Sequence, residues 1–145
     1  MGQSLRPSRK PRVLFVCIGN SCRSQMAEGF ARAYGADVME VLSAGLYPAP
    51  IIAPLTKKTM LEKNIDISTH FPKSLDMLPG GPVHIVINMS GHSMPVPAGA
   101  TLEEWQVQDP IGLSEDVFRA VARDIEHRVM NLVLALRGKS TTALR

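Results

Sequence analysis

The chain has 145 residues, 45% hydrophobic and 20% charged, with a formal net charge of +3 and two cysteines. That length suits one domain burying about 70% of its unfolded surface, and no apolar run approaches the ~20 residues of a membrane helix. Two cysteines and no secretory signal point to a reducing cytoplasm rather than a disulfide scaffold; the four histidines show no ligand spacing with them, so neither metal nor cofactor is expected.

Charge is unevenly placed. Of the 16 basic residues, Arg6, Arg9, Lys10 and Arg12 precede residue 13 and Lys139 and Arg145 follow residue 137, so ten remain in the body against 13 acidic ones. Residues 1–11 are expected to be a solvated, disordered basic leader. No aromatic residue interleaves with its charges, which argues against nucleic acid as a partner. Residues 12–138 are expected to form a single domain and residues 139–145 a short tail.

In chain order, Arg12–Ile18 reads as a first strand, followed by a helix over Cys22–Tyr34. Met26, Phe30 and Ala33 or Tyr34 share one face of that helix, with Gly35 as a C′ stop. Gly29 inside it costs about 1 kcal/mol against alanine, which close approach to the sheet would explain. Asp37–Ser43 reads as a second strand, and Pro54 opens a helix to about Lys63. Val83–Asn88, rich in β-branched residues, reads as a buried third strand, in which His84 is structural. Ser90–Ala100 is a Gly- and Pro-containing loop, and a short fourth strand is expected near Glu104–Val107. Ser114 caps a final helix whose core stripe is Val117, Val121, Ile125, Val129 (or Leu132) and Leu136. Alternating strands and helices predict an α/β fold: a four-stranded parallel sheet flanked by helices on both faces, with ligands at the carboxyl ends of its strands.

The segment Cys17-Ile18-Gly19-Asn20-Ser21-Cys22-Arg23-Ser24 lies at such an end. A strand, a loop and a helix N-terminus together make a nest of backbone N–H groups suited to tetrahedral oxyanions. The helix dipole and Arg23 both favour a thiolate at Cys17, the attacking species in cysteine chemistry. A Walker-type loop needs a second glycine followed by Lys and Ser or Thr, and Cys22-Arg23-Ser24 stands there instead.

The segment resembles the signature of the low-molecular-weight protein tyrosine phosphatases and of the thioredoxin-type arsenate reductases that share their fold: a Cys, five intervening residues, then Arg-Ser. Ser43-Ala44-Gly45, Ile65-Asp66-Ile67-Ser68-Thr69-His70 and Asp109-Pro110 extend the likeness, in order, from about Val13 to Leu136. The resemblance implies a nucleophile at Cys17, an oxyanion clamp at Arg23 and a general acid at Asp109. It also implies oxyanion binding by the loop Ile18, Gly19, Asn20, Ser21 and Cys22, with Asn20, Ser24 and Ser43 holding the loop and the thiolate.

Two enzyme readings follow. The main one is a phosphomonoester hydrolase working through a cysteinyl-phosphate, with a phosphorylated substrate. The alternative is an arsenate reductase: Ser24-Gln25-Met26-Ala27-Glu28-Gly29, Trp105 and the final helix resemble that branch, and Ile111-Gly112 stands where the phosphatases tend to carry an aromatic pair. The intramolecular reductase relay uses two further cysteines after the third strand, whereas this chain has Asn88-Met89-Ser90-Gly91-His92-Ser93-Met94-Pro95 there. Reduction would then need a small thiol, a thioredoxin or glutaredoxin, or Cys22 as redox partner. A third reading is a non-enzymatic oxyanion sensor in which Cys17 and Cys22 form a redox switch.

Overall fold

The computed structural model describes residues 10–143. Its centre is a parallel sheet of β1 (Arg12–Cys17), β2 (Glu40–Gly45), β3 (Ile85–Asn88) and β4 (Thr101–Glu104), ordered β2-β1-β3-β4. Around it lie α1 (Arg23–Gly35), α2 (Pro54–Glu62), α3 (Glu115–Ala143) and a short 3-10 helix at Leu75–Met77. The expected basic leader lies for the most part outside the described residues. Its last two residues belong to the fold: Lys10 Nζ donates to the Ala36 carbonyl at 2.9 Å, and the Pro11 carbonyl accepts from Glu40 N. At the other end α3 runs on to Ala143, past the boundary expected at 138.

The period-two alternation of β1 divides the core. Val13, Phe15 and Cys17 point to the face covered by α1, α2 and α3; Leu14 and Val16 point to the other, covered by the Leu75–Met77 helix and by Val83, Met94 and Ala100. Along α3, Val121, Ile125, Val129, Leu132 and Leu136 are all buried, as the stripe required.

Four local expectations are corrected. β2 starts at Glu40 rather than Asp37, because Val38 N and Met39 N first turn back onto the Gly35 carbonyl. β4 occupies Thr101–Glu104 rather than Glu104–Val107. The pairing Asn88↔Glu104 ends the ladder; Trp105 N still donates to Asn88 O, and the chain then leaves the sheet with Trp105 and Val107 buried in the core. Gly35 is the last residue of α1 rather than a left-handed stop, and its missing side chain makes room for α3: a Cβ there would lie 2.6 Å from a Val133 methyl. Gly29 faces Met60, Ile65 and Ile67 rather than the sheet.

Candidate active site

The carboxyl end of β1 delivers Cys17 to the centre of the sheet edge, and the chain then curls through Ile18–Cys22 before α1 begins at Arg23. What shapes the curl is the segment after β2. Leu46 N, Tyr47 N, Ala49 N and Ala53 N donate to the carbonyls of Cys17, Ile18, Gly19 and Ser21. Every peptide here is trans, and in a trans peptide C=O and N–H point in opposite directions. The amides of Ile18, Gly19, Asn20 and Cys22 therefore face away from that segment, into the concavity of the loop. This is the donor nest that a tetrahedral oxyanion needs.

Asn20 sits in the left-handed region at φ 51°, which asparagine tolerates better than most residues. Gly45, the last residue of β2, lets the loop lie directly on the sheet: a Cβ there would be 2.8 Å from Asn20 N, Gly19 C and Ile18 O.

Beneath the loop runs a buried polar network. Cys17 Sγ lies 2.9 Å from Ser24 Oγ and accepts a longer contact from Ser24 N at 3.4 Å. Asn20 Nδ2 donates to Ser24 Oγ at 2.7 Å and to Ser43 Oγ at 3.0 Å. Ser43 Oγ in turn donates to Glu28 Oε1 at 2.5 Å. Burial pushes the Glu28 carboxyl up, but the Ser43 hydroxyl, Arg32 and Lys73 outweigh it and hold it below the usual range.

Arg23 is buried and pinned by one corner, Nη1 donating to Met89 O at 2.5 Å and to Val107 O at 3.2 Å. Its Nη2 lies 3.5 Å from Asp109 Oδ2. Asp109 is half exposed, and its other oxygen accepts from Ile111 N at 3.1 Å. Beside this pair opens a cleft of about 450 Å³, lined by Arg23, Asn88, Gly91, Trp105 and Gln108 among others.

The structure thus joins Cys17, Asn20, Ser24 and Ser43 in one network and sets Arg23 against Asp109. Ser21 and Cys22 turn to the outer side. Ser21 Oγ bonds Ile51 O and Ala53 N; Cys22 Sγ accepts from Thr56 Oγ1 at 3.1 Å. Burial pushes the Cys22 thiol up to about 11, only partly offset by the Thr56 hydroxyl. Such a thiol is a poor attacker near neutral pH, because the thiolate is the reacting species. His84 is structural, its Nδ1 accepting from Arg12 N at 2.9 Å.

Sequence reasoning missed Gln25, Glu28 and Lys73. Gln25 Nε2 donates to Asn20 Oδ1 at 3.1 Å, and Lys73 N donates to the same oxygen at 3.0 Å. A family model described as "Low molecular weight phosphotyrosine protein phosphatase" matches residues 12–98. The chain belongs to this family. The chain is 38% identical over 126 residues to a glutaredoxin arsenate reductase of Synechocystis sp., covering 84% of this chain and 95% of that one. It is 35% identical to arsenate reductase 1 of Bacillus cereus over 83% of this chain and 92% of that one. An arsenate reductase in a phosphate-binding state superposes with a TM-score of 0.78 at 37% identity, over 87% of this chain and 98% of that one. An arginine phosphatase from Geobacillus stearothermophilus, at 23% identity and a TM-score of 0.73 over 91% and 96%, shares the fold.

Proposed function

We propose that the protein reduces arsenate, with Cys17 as nucleophile and the resolving thiol supplied from outside the chain. The observation that carries this reading is the similarity, across nearly the whole domain, to proteins named arsenate reductases. It reverses the order of preference drawn from the sequence, which put hydrolysis first because the downstream cysteine pair is absent.

In this reading the loop amides and Arg23 hold arsenate against Cys17. The thiolate attacks arsenic and an As–OH oxygen leaves as water, its proton supplied by Asp109. An external thiolate then attacks Cys17 Sγ. The S–As bond breaks, its electron pair passes to arsenic, and arsenite departs, leaving a mixed disulfide on Cys17. A second thiol frees Cys17, so two thiols become one disulfide as As(V) becomes As(III). A small thiol, a glutaredoxin or a thioredoxin supplies both equivalents; the glutaredoxin in one relative's name favours that class. Cys22 does not fit as resolver, being bonded to Thr56 and pushed up to about 11.

A second reading rests on the family match and on Arg23 and Asp109 standing together: hydrolysis of a phosphomonoester through a cysteinyl-phosphate, with Asp109 protonating the leaving oxygen. It needs no second thiol. Wild type and Cys17→Ser, assayed on arsenate with glutathione plus glutaredoxin, with thioredoxin, and on aryl phosphate, separate the two. Cys17-dependent arsenite production supports reduction. Aryl phosphate turnover without arsenite replaces it by hydrolysis, and phosphate binding with neither activity refutes both.

A further inference from the structure

We propose that Lys73 is a positioning residue for Cys17. Its ammonium enters the network under the catalytic loop and is surrounded by oxygen: Ser43 Oγ at 3.3 Å, Phe71 O at 3.4 Å, Asn20 Oδ1 at 3.5 Å and Glu28 Oε1 at 3.7 Å. Only 17% of this side chain is exposed.

The consequence lies in the direction of the hydrogen bonds. Asn20 Oδ1 receives Lys73 N and Gln25 Nε2, with the ammonium as a third donor nearby. Turning that amide over would set its NH2 against donors alone, so Nδ2 must face Ser24 and Ser43. Ser43 has already given its hydrogen to Glu28, leaving its lone pairs for Asn20 Nδ2 and the Lys73 ammonium. Ser24 Oγ accepts from Asn20 at 2.7 Å, so its own hydrogen is left for Cys17 Sγ, 2.9 Å away. A thiolate at Cys17 then receives two donors from Ser24, its hydroxyl and its N–H. Lys73 fixes the far end of this chain, both through its backbone and through its charge.

Replacing the ammonium by a neutral group leaves Glu28 to Arg32, which is half exposed, and removes one donor each from Ser43 and Asn20. The other charged groups stay in place. Glu28 and Arg32 of α1 and His70 of the neighbouring turn face Lys73; Cys22 lies within electrostatic reach of Cys17 and of Asp109, and Asp109 pairs with Arg23.

The inference rests on Cys17 being the nucleophile and holds for either reaction. The test therefore reads Cys17 itself. Alkylation of Cys17 by iodoacetamide is followed by peptide mass spectrometry from pH 5 to 9 in wild type, Lys73→Met and Lys73→Gln. Glutamine keeps most of the stem and a donor while removing the charge. Both variants should move the profile to higher pH by about one unit, which lowers the rate about tenfold on the low-pH limb of the wild-type profile. In a Ser24→Ala background the same substitutions should change the rate less than twofold, because the route to Cys17 is already cut. An unmoved profile in either folded variant, or an equal tenfold loss without Ser24, overturns the proposal. Should neither variant fold, the wild-type Asn20 side-chain amide resonances decide. They must move as Cys17 ionises, and pH-independent resonances overturn it. A wild-type Cys17 that alkylates no faster than a free thiol at pH 6.5 defeats the nucleophile reading instead.

Discussion

Gly45→Ala isolates how closely the loop is fitted to the sheet. The new methyl would sit 2.8 Å from three backbone atoms of the loop, in the Ile18–Asn20 stretch. Ordinary contact begins near 3.4 Å, so something must move by roughly 0.6 Å. β2 cannot retreat easily, since its six residues pair with β1 from Arg12↔Glu40 to Cys17↔Gly45. The loop therefore moves. Overpacking of this kind costs about 1–3 kcal/mol, which is about 4–8 °C in melting temperature for a middle value in a domain of this size. Displacement of a reacting group by as much as 1 Å costs up to about 10²-fold in rate. We expect turnover to fall by about that factor at temperatures where the variant is fully folded. Calorimetric affinity for inorganic phosphate should fall with it. Gly29→Ala is the matched control. Its methyl meets the mobile end of Met60 at 2.6 Å, and helix propensity returns about 1 kcal/mol, so stability should stay within about 1 kcal/mol and turnover within twofold. Wild-type phosphate affinity in Gly45→Ala, or equal damage from Gly29→Ala, would refute the reasoning.

Arg23→Lys should lower turnover at least about 10²-fold, because a point charge replaces neither the planar fork nor the anchor on Met89 and Val107; steady-state kinetics within a few-fold of wild type would remove the clamp. Asp109→Asn, tested on aryl phosphates as probe substrates, should slow poor leaving groups about tenfold more than good ones, and an equal loss would exclude proton donation. Cys22 should alkylate about 10²-fold more slowly in the native protein than in urea at pH 7.5, because a thiol at about 11 holds far less thiolate than one near 8.5; equal rates would contradict its burial. Glu28→Gln should cost about 3 kcal/mol at pH 7, as breaking a buried ion pair does. Glu28 is held below its usual range, so its contribution is present above the unfolded value and lost as pH falls through the folded one. The gap between variant and wild type in urea melts should therefore narrow below about pH 4.3; a gap that widens on acidification would refute this.

Much of this was legible because it is written in periodicity and spacing. The alternation of β1, the stripe of α3, the Pro54 start and the Cys17–Ser24 loop all appear in place. β4 was misplaced because Thr101-Leu102-Glu103-Glu104 is exposed along its whole length at the sheet edge and shows no apolar face. Trp105 and Val107 look more like strand, yet are buried in the connection to α3. The network under the loop was half visible. Asn20, Ser24 and Ser43 came with the family likeness, whereas Gln25 and Glu28 entered only as part of a segment resembling the reductase branch, with no role, and Lys73 carried no signal. Their burial depends on α1, β2 and the Phe71–Ser74 segment meeting, which no local pattern encodes. The spacing of Gln25 and Glu28, on the same helix turns as the buried Met26 and Phe30, was the available signal.

The hydrogen bonds from Leu46, Tyr47, Ala49 and Ala53 to the loop carbonyls make residues 46–53 part of one opening unit with the loop. Hydrogen exchange at these amides requires the loop to come undone. An oxyanion held by the inner face should therefore slow exchange on the outer face, at groups it never touches. Deuterium uptake at Tyr47 and Ala49, measured with and without phosphate, becomes a gauge of site occupancy that needs no turnover and no thiol.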